Sequence, residues 1–331
     1  MLKRLQRLVA ASYVEQEPAH VVLFVLVAAA LAAGALVGVA WAAGFSEVLV
    51  RLAHPRWLWL PIALGATAAS YVGYVFAYRE AAFTDRGPHA SFRHVGALVA
   101  CGFGLFIPRG GFALDYEALR RAGIPSREAR VRTLSLGTLE YAVLAPAAFA
   151  VAVLLLARSW PTGLGVKLSW AIGVPMGAAI TLSLLRRRRH FRQSTGWRQS
   201  LAHFLDGLAH TLRLWRRPHH GLLAFLGMAV YWAGDIAVLW ACLSIFSPHS
   251  PSVAKIILGY ASGYALTRRA LPLAGAGAVE ALLPFALMWT GVSLPTAILT
   301  VFAYRLFNLW LPLLPAAAAA VALRRNPAVR T

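Results

Sequence analysis

An apolar run near the C-terminus, Ala270–Ala316, is interrupted in ways that an ordinary membrane-spanning helix does not need. Helix-breaking residues recur along it, at Pro272, Gly275, Gly277, Pro284, Gly291 and Pro295. Proline removes a backbone donor and glycine weakens a helix, so this clustering predicts helices that stop inside the bilayer. Glu280 and Arg305 lie in the same run. Ionisable residues at such depth are costly, and they usually pair or line a cavity.

A similar pattern occurs in the first half of the chain, in Ile107–Ala147. Its helix breakers and its acid follow in the same order as those of the second run, as Pro108, Gly110, Gly111, Asp115, Gly123 and Pro125. Two broken apolar segments at equivalent places are typical of a transporter with a site at a repeat interface. We therefore predict an inverted repeat, with repeat 1 at about 57–185 and repeat 2 at about 221–325.

Composition places the chain among integral membrane proteins, since 59% of its residues are hydrophobic and 13% are charged. The formal net charge of +20 could indicate nucleic acid, but no recognised basic module is present. Membrane phospholipids, and anionic lipid in particular, are the expected partners instead. We find no catalytic, nucleotide-binding or metal-ligand motif, so we predict neither an enzyme nor a cofactor nor a metal site.

Apolar stretches long enough for a full crossing predict six spans, at Val21–Phe45, Trp57–Tyr78, Thr133–Ala157, Leu168–Leu185, Gly221–Phe246 and Leu294–Leu323. Val95–Ala113 and Lys255–Trp289 are predicted to be re-entrant helical hairpins that enter from opposite faces. The predicted fold is thus an all-α integral membrane protein of six full transmembrane helices plus two hairpins. Gly34 and Gly38 predict close helix packing in the first span, with a homo-oligomer contact as the alternative.

The distribution of arginine predicts the orientation. Residues 1–19 form a tail, residues 20–325 form one transmembrane domain, the basic loop covers 186–220, and residues 326–331 form a second tail. Arginine between spans follows the positive-inside rule, which places the basic loop and both termini in the cytoplasm, with the domain in the inner membrane. Within the loop, His203–Leu214 is predicted to be an amphipathic helix on the inner leaflet. Cys101 and Cys242, both in apolar segments, predict buried free thiols.

Three short motifs of the second half, P-x-x-G-x-G-x-x-E, G-V-S-L-P and Y-R-L-F-N-L-W-L-P-L-L-P, resemble the C-terminal signature of a known family. This is the lysylphosphatidylglycerol synthase transmembrane, or flippase-like, family, the membrane module of MprF-type proteins. The first-half motif P-R-G-G…L-R-R-A-G-I-P…A…L-E resembles the other signature, although the family usually has Glu-Arg where this chain has Glu140-Tyr141. The resemblance spans roughly residues 20–325. It implies a translocase for anionic, aminoacylated or polyprenyl-linked lipids, without a soluble synthase domain.

The predicted hairpin tips hold Arg109 in the first half and Arg268 and Arg269 in the second. Glycines lie beside them, at Gly110, Gly111, Gly275 and Gly277. Exposed backbone N–H groups together with guanidinium groups make a good phosphate site, so we predict that the tips bind the lipid headgroup. The alternative is that these arginines extend to an interface, or pair with Asp115 or Glu280.

A second set of candidates is predicted inside the spans, namely Glu140, Asp235, Glu280, Arg305 and Asn308. Glu140 and Arg305 hold related places in the two repeats and are a plausible pair, with Glu280 as the alternative partner of Arg305. Arg305 and Asn308 are three residues apart and share a helix face. Such groups could gate a cavity or carry a coupling proton. The alternative is static interhelical hydrogen bonding, worth roughly 1 kcal/mol for each bond.

Two further functions stay open. One is a membrane enzyme, or an enzyme subunit, in lipid-linked sugar or aminoacyl transfer, for which Asp115 and Glu117 are the loop acids near a hairpin. The other is a non-transporting scaffold for a partner lipid-modifying synthase, since the basic loop could dock an acidic protein.

Overall fold

The chain is helical throughout the part that the computed structural model describes. That part comprises residues 18–53, 55–83, 91–104, 111–159, 163–191, 195–247, 252–264 and 275–325. The helices are, in chain order, α1 Pro18–Ala43, α2 Phe45–Leu52, α3 Trp59–Ala82, α4 Phe92–Gly104, α5 Gly111–Arg121, α6 Ser126–Ala157, α7 Leu164–Arg186, α8 Arg188–Phe191, α9 Trp197–Trp215, α10 Pro218–Phe246, α11 Val253–Gly263, α12 Ala278–Trp289, α13 Leu294–Arg305 and α14 Leu313–Arg325. A π-helical turn, Leu306–Trp310, joins α13 to α14.

Six helical segments in this part are long and apolar enough to cross a membrane, at Val22–Ala43, Trp59–Ala82, Ser126–Ala157, Leu164–Arg186, Pro218–Phe246 and Leu294–Leu323. Each overlaps one of the predicted spans, so the all-α class and the number of helices long and apolar enough to span a membrane are confirmed. The agreement has a simple cause. A long apolar segment in a bilayer must satisfy its backbone hydrogen bonds internally, and a helix does so.

Three shorter apolar helices, α4, α11 and α12, lie where the two re-entrant hairpins are predicted. α11 and α12 pack closely, because a Cβ atom added to Gly263 would lie 2.8 Å from the Cα atom of Leu283. The chain between them, residues 265–274, lies outside the described residues, as do residues 105–110 between α4 and α5. The re-entrant path and the inverted repeat therefore stay predictions.

Glycines bring α3 and α10 into backbone contact at the centre of the protein. A Cβ atom added to Gly73 would lie 2.6 Å from the carbonyl oxygen of Gly227, and one added to Gly227 would lie 2.7 Å from the backbone nitrogen of Ala77. Gly234 continues the contact, with 2.8 Å to the carbonyl oxygen of Ala66. Small residues allow membrane helices to approach this closely. The contact positions the buried side chains of α10.

The close packing predicted at Gly34 and Gly38 is wrong within the described part of the chain. A Cβ atom added to either glycine would meet nothing within 4 Å. Both glycines are exposed, and so is the neighbouring Trp41. The spacing of small residues defines a helix face, but it does not say whether another helix covers that face. The homo-oligomer alternative stays a prediction.

Helix α9 covers the amphipathic segment predicted at His203–Leu214. It packs against α6, where the Thr138 and Thr211 hydroxyl oxygens are 2.5 Å apart and the Thr211 hydroxyl also donates to the Ser135 carbonyl at 3.1 Å. Trp197 and Trp215, at its two ends, are exposed. Tryptophan prefers the boundary between lipid and water, so these positions are typical of a helix that lies in the interface.

We expect Gly227→Ala to destabilise the protein by about 1–3 kcal/mol, because the added methyl group overpacks the contact between α3 and α10. Thermal unfolding in detergent would measure the loss. Gly34→Ala is the matched control. Its methyl group meets open space, and alanine is the better helix former, so stability should be unchanged or slightly higher. Equal effects of the two variants would contradict the backbone contact.

Candidate functional site

A buried ion pair joins the start of α12 to the end of α13. The Arg305 Nε atom donates to Glu280 Oε1 at 2.6 Å. The two side chains are 2% and 0% exposed, respectively. Glu280 Oε2 also accepts the Gly277 backbone N–H at 2.8 Å. A carboxylate in the first turn of a helix is favoured by the helix dipole, so α12 itself stabilises the Glu280 charge.

Gly277 makes that arrangement possible. Its φ angle of 85° lies in the left-handed region, which glycine enters without strain. The chain turns there, and the Glu280 carboxylate reaches back to the Gly277 amide. The predicted site residue Gly275 also has a positive φ, of 69°. These two glycines therefore shape the entry into α12, which agrees with their prediction as helix breakers.

A second buried carboxylate, Asp235 of α10, is 3% exposed and accepts hydrogen bonds from side chains of the C-terminal helices. Its Oδ2 atom accepts from the Tyr304 hydroxyl at 3.0 Å and from the Tyr260 hydroxyl. Its Oδ1 atom accepts from the Asn308 Nδ2 atom at 2.8 Å. The Asn308 Oδ1 atom in turn accepts from the Tyr264 hydroxyl at 2.6 Å. Asp235 thus ties α10 to α11, to α13 and to the π-helical turn.

A π-helical turn holds Asn308, directly after Tyr304 and Arg305 at the end of α13. It begins directly after Arg305, it contains Asn308, and the Leu311 N–H closes it by donating to the Leu306 carbonyl at 2.8 Å. Arg305 reaches α12, whereas Tyr304 and Asn308 reach Asp235 on α10. We call Arg305, Tyr304, Asn308 and Asp235, together with their partners Glu280, Tyr260 and Tyr264, the charge network. π-Helical turns often occur at functional sites.

Glu140 of α6 lies at a different buried position. Its Oε1 atom accepts from the Tyr74 hydroxyl at 3.1 Å, and its carbonyl oxygen accepts from the Trp232 indole at 2.9 Å. The Trp232 ring packs edge-on against Tyr260, with centroids 5.8 Å apart, and so links this position to the charge network. Of the two partners considered for Arg305, Glu280 is the one that the structure places against it.

The remaining candidates fall into two groups. Arg109, Gly110, Arg268 and Arg269 lie outside the described residues, so a headgroup site at the hairpin tips stays a prediction. The other group is on α5, which starts at Gly111. Asp115 and Glu117 were predicted to be loop acids, but both lie in this helix. Asp115 is buried and Glu117 pairs with Arg121 at 3.3 Å. Cys101 and Cys242 are buried and free, as predicted.

An apolar cavity of about 1060 Å³ lies between α6 and α7 and reaches α9, Ser262 of α11 and Trp289 of α12. Helix α7 contributes little to the protein core, since Lys167 is the one residue of this helix that is buried. Tyr141, Gly177 and Leu182 line the cavity and are exposed, so it opens toward the region that lipid would occupy. Ligand cavities of this size and character are typical of small-molecule and lipid sites.

Helix α11 separates the apolar cavity from the charge network. Tyr260 and Tyr264 donate to the network, whereas Ser262 lines the cavity and accepts the Trp170 indole N–H at 2.8 Å. Sequence reasoning missed the cavity. A signal was available, because Gly165, Gly173 and Gly177 recur along α7 and all line it. Nothing in their spacing indicated that a cavity would open between α6 and α7.

We expect Arg305→Met to destabilise the protein by about 3–5 kcal/mol, because it leaves the Glu280 charge buried without its cation. Glu280→Gln should destabilise the protein by a similar amount, because it leaves the Arg305 charge buried without its anion. The double variant should lose clearly less than the sum of the two, since it removes both charges. Thermal unfolding in detergent measures all three, and Glu47→Gln, at an exposed acid of α2, is the control. Additive losses would show that the two charges are not coupled.

Comparison with known proteins agrees with this architecture. The sequence model of the lysylphosphatidylglycerol synthase TM region matches residues 22–316, which is most of the chain. A search of curated proteins found no match. The matched range contains the residues of the apolar cavity and of the charge network, five of the six apolar segments and most of the sixth, Leu294–Leu323. Together they identify a multi-pass membrane protein. The chain therefore belongs to the lysylphosphatidylglycerol synthase transmembrane family, a membrane module related to lipids.

Proposed function

We propose that the protein is a flippase-like lipid translocase of the inner membrane, which moves anionic, aminoacylated or polyprenyl-linked lipids between leaflets. The observation that carries this proposal is the placement of the apolar cavity one helix away from the charge network. A lipid needs an apolar surface for its acyl chains and a polar route for its headgroup. Helix α11 offers one face to each.

The chemistry of the charge network supports a role beyond holding helices together. Replacing a buried ion pair by well-packed apolar residues is often neutral or stabilising, so Glu280 and Arg305 are a poor choice for stability alone. Ionisable groups inside membrane segments usually line a substrate or proton pathway. In this proposal Asp235 or Glu280 exchanges hydrogen-bond donors as the headgroup passes, and the network relaxes when the lipid leaves.

The irregular backbone supports the same function. Gly275 and Gly277 lie just before the start of α12, and the π-helical turn Leu306–Trp310 follows α13, so irregular backbone lies beside the buried charges. Transporters commonly place such interruptions at a midplane site between repeats. We therefore extend the proposal to the two hairpins of an inverted repeat, with Arg109, Arg268 and Arg269 as contacts for the lipid phosphate. Both termini lie in the cytoplasm in this arrangement, and no catalytic step is assigned.

Blocking the apolar cavity should slow translocation. Gly177 lines the cavity and has nothing within 4 Å of an added Cβ atom, so Gly177→Trp fills the cavity without a backbone clash. We expect the rate of flipping to fall at least about tenfold, which corresponds to an increase of about 1.4 kcal/mol in the activation free energy of flipping. The rate is measured in reconstituted vesicles that contain a fluorescent phosphatidylglycerol. A quencher added outside the vesicles reports the fraction of labelled lipid that has reached the outer leaflet over time.

Gly34→Trp is the matched control, because Gly34 has equally open surroundings and lies on α1, away from the cavity. It should flip lipid at the rate of the unmodified protein. Thermal unfolding of both variants checks that each is folded. A Gly177→Trp protein that flips at the unmodified rate would contradict the cavity as the route. Unmodified protein that flips no faster than empty vesicles would reject translocation.

A further inference from the structure

A second cavity, of about 530 Å³, lies between the N-terminal part of α6 and the C-terminal part of α9. It is strongly basic. Among its described lining residues are five arginines, Arg127, Arg132, Arg188, Arg213 and Arg217. Two carboxylates, Glu128 and Asp206, line it as well. The lining therefore carries a clear excess of positive charge, in a concave site that a small anion could enter.

One of these arginines, Arg132, is buried and hydrogen-bonded within the protein. The Arg132 side chain is 2% exposed. Its Nη1 atom donates to the Ala82 carbonyl at 2.6 Å, and its Nε atom donates to Glu128 Oε1 at 3.1 Å. Asp206 is buried too, with Arg127 Nη2 4.0 Å away. Each carboxylate thus has an arginine beside it, and three further arginines line the same cavity. Guanidinium groups bind phosphate through paired hydrogen bonds.

His210 adds a neutral polar group to the basic cavity. Its Nδ1 atom is buried, and no hydrogen-bond partner for it is found among the described residues. Burial lowers the pKa of His210 to about 4, and the charges of Arg213 and Arg132 act in the same direction against a smaller opposite effect of Glu128. The imidazole is therefore uncharged at neutral pH. Buried polar atoms are normally hydrogen-bonded, so a ligand atom is a natural partner here.

Helix α9 divides the basic cavity from the apolar one. Phe204, Leu208 and Leu212 line the apolar cavity, whereas His210 and Arg213 line the basic cavity. Helix α6 also borders both. Its residue Arg132 lines the basic cavity and Thr138 the apolar one, a separation of about 9 Å along the helix axis. A molecule with a phosphate at one end and hydrocarbon at the other would match this arrangement.

The position of α9 fits the headgroup level of a membrane. Trp197 and Trp215 are 70% and 67% exposed at its two ends, as expected of anchors at the interface between lipid and water. Arginines at that level attract anionic lipid. From these observations we propose that the basic cavity between α6 and α9 binds the phosphate of an anionic phospholipid, whose acyl chains extend toward the apolar cavity. The site is separate from the charge network, and it requires no transport.

The test uses the purified full chain in detergent micelles with a fluorescent phosphatidylglycerol. Arg213→Gln/Arg217→Gln changes two exposed residues of the basic cavity, so we expect only a small loss of stability, which thermal unfolding checks. We expect its affinity to fall at least about tenfold, because bidentate contacts with the phosphate are lost. The matched control, Arg198→Gln/Arg216→Gln, removes the same charge near α9 from exposed residues outside the lining. Its affinity should change less than about twofold, as expected for exposed charges in water.

Equal losses in the two double variants would overturn the proposal, because the attraction would then belong to the whole basic surface. Competition distinguishes a lipid from free phosphate. Phosphatidylglycerol should bind more tightly than phosphatidylcholine, and millimolar inorganic phosphate should not displace it. Displacement by millimolar inorganic phosphate would reject the lipid as the ligand. Since binding is measured at equilibrium without a membrane gradient, its failure would leave the translocation proposal standing, and the reverse also holds.

Discussion

A charge buried in an apolar helical protein must find its counter-charge and its hydrogen-bond donors within the protein, because water is not there to supply them. The ion pair between Glu280 and Arg305 meets this demand and thereby holds the start of α12 against the end of α13. Asp235 meets it through Tyr260, Tyr304 and Asn308. The ion pair thus joins the C-terminal helices α12 and α13 to each other, and the hydrogen bonds of Asp235 join α11, α13 and the π-helical turn to α10.

The irregular backbone beside these charges also helps to satisfy them. A regular helix at α12 would leave its first amide groups without acceptors, whereas the left-handed Gly277 lets the Glu280 carboxylate accept one of them. The π-helical turn after Arg305 then directs Asn308 toward Asp235. Helix breakers and buried charges therefore occur together for one reason: the breaks place donors and acceptors where the charges need them.

The two cavities extend this logic from single groups to a whole ligand. Helix α11 has the charge network on one side and the apolar cavity on the other, and α9 has the apolar cavity and the basic cavity on its two sides. Each helix thus separates a polar environment from an apolar one. A phospholipid is divided in the same way, which is why lipid handling fits the molecule better than transport of a small polar solute.

The sequence by itself determined the helical class, the six helices long enough to span a membrane, the burial of Asp235, Glu280 and Arg305, and the amphipathic character of α9. These are local properties, because hydrophobic length and period depend on neighbours in the chain. Only the tertiary structure decided that Arg305 pairs with Glu280, that Asn308 meets an acid 73 residues away, and that a cavity opens between α6 and α7. The spacing of residues in the sequence indicates which face of a helix carries apolar, small or charged side chains. Which distant segment meets that face depends on how all the helices pack together, and no local pattern contains that information.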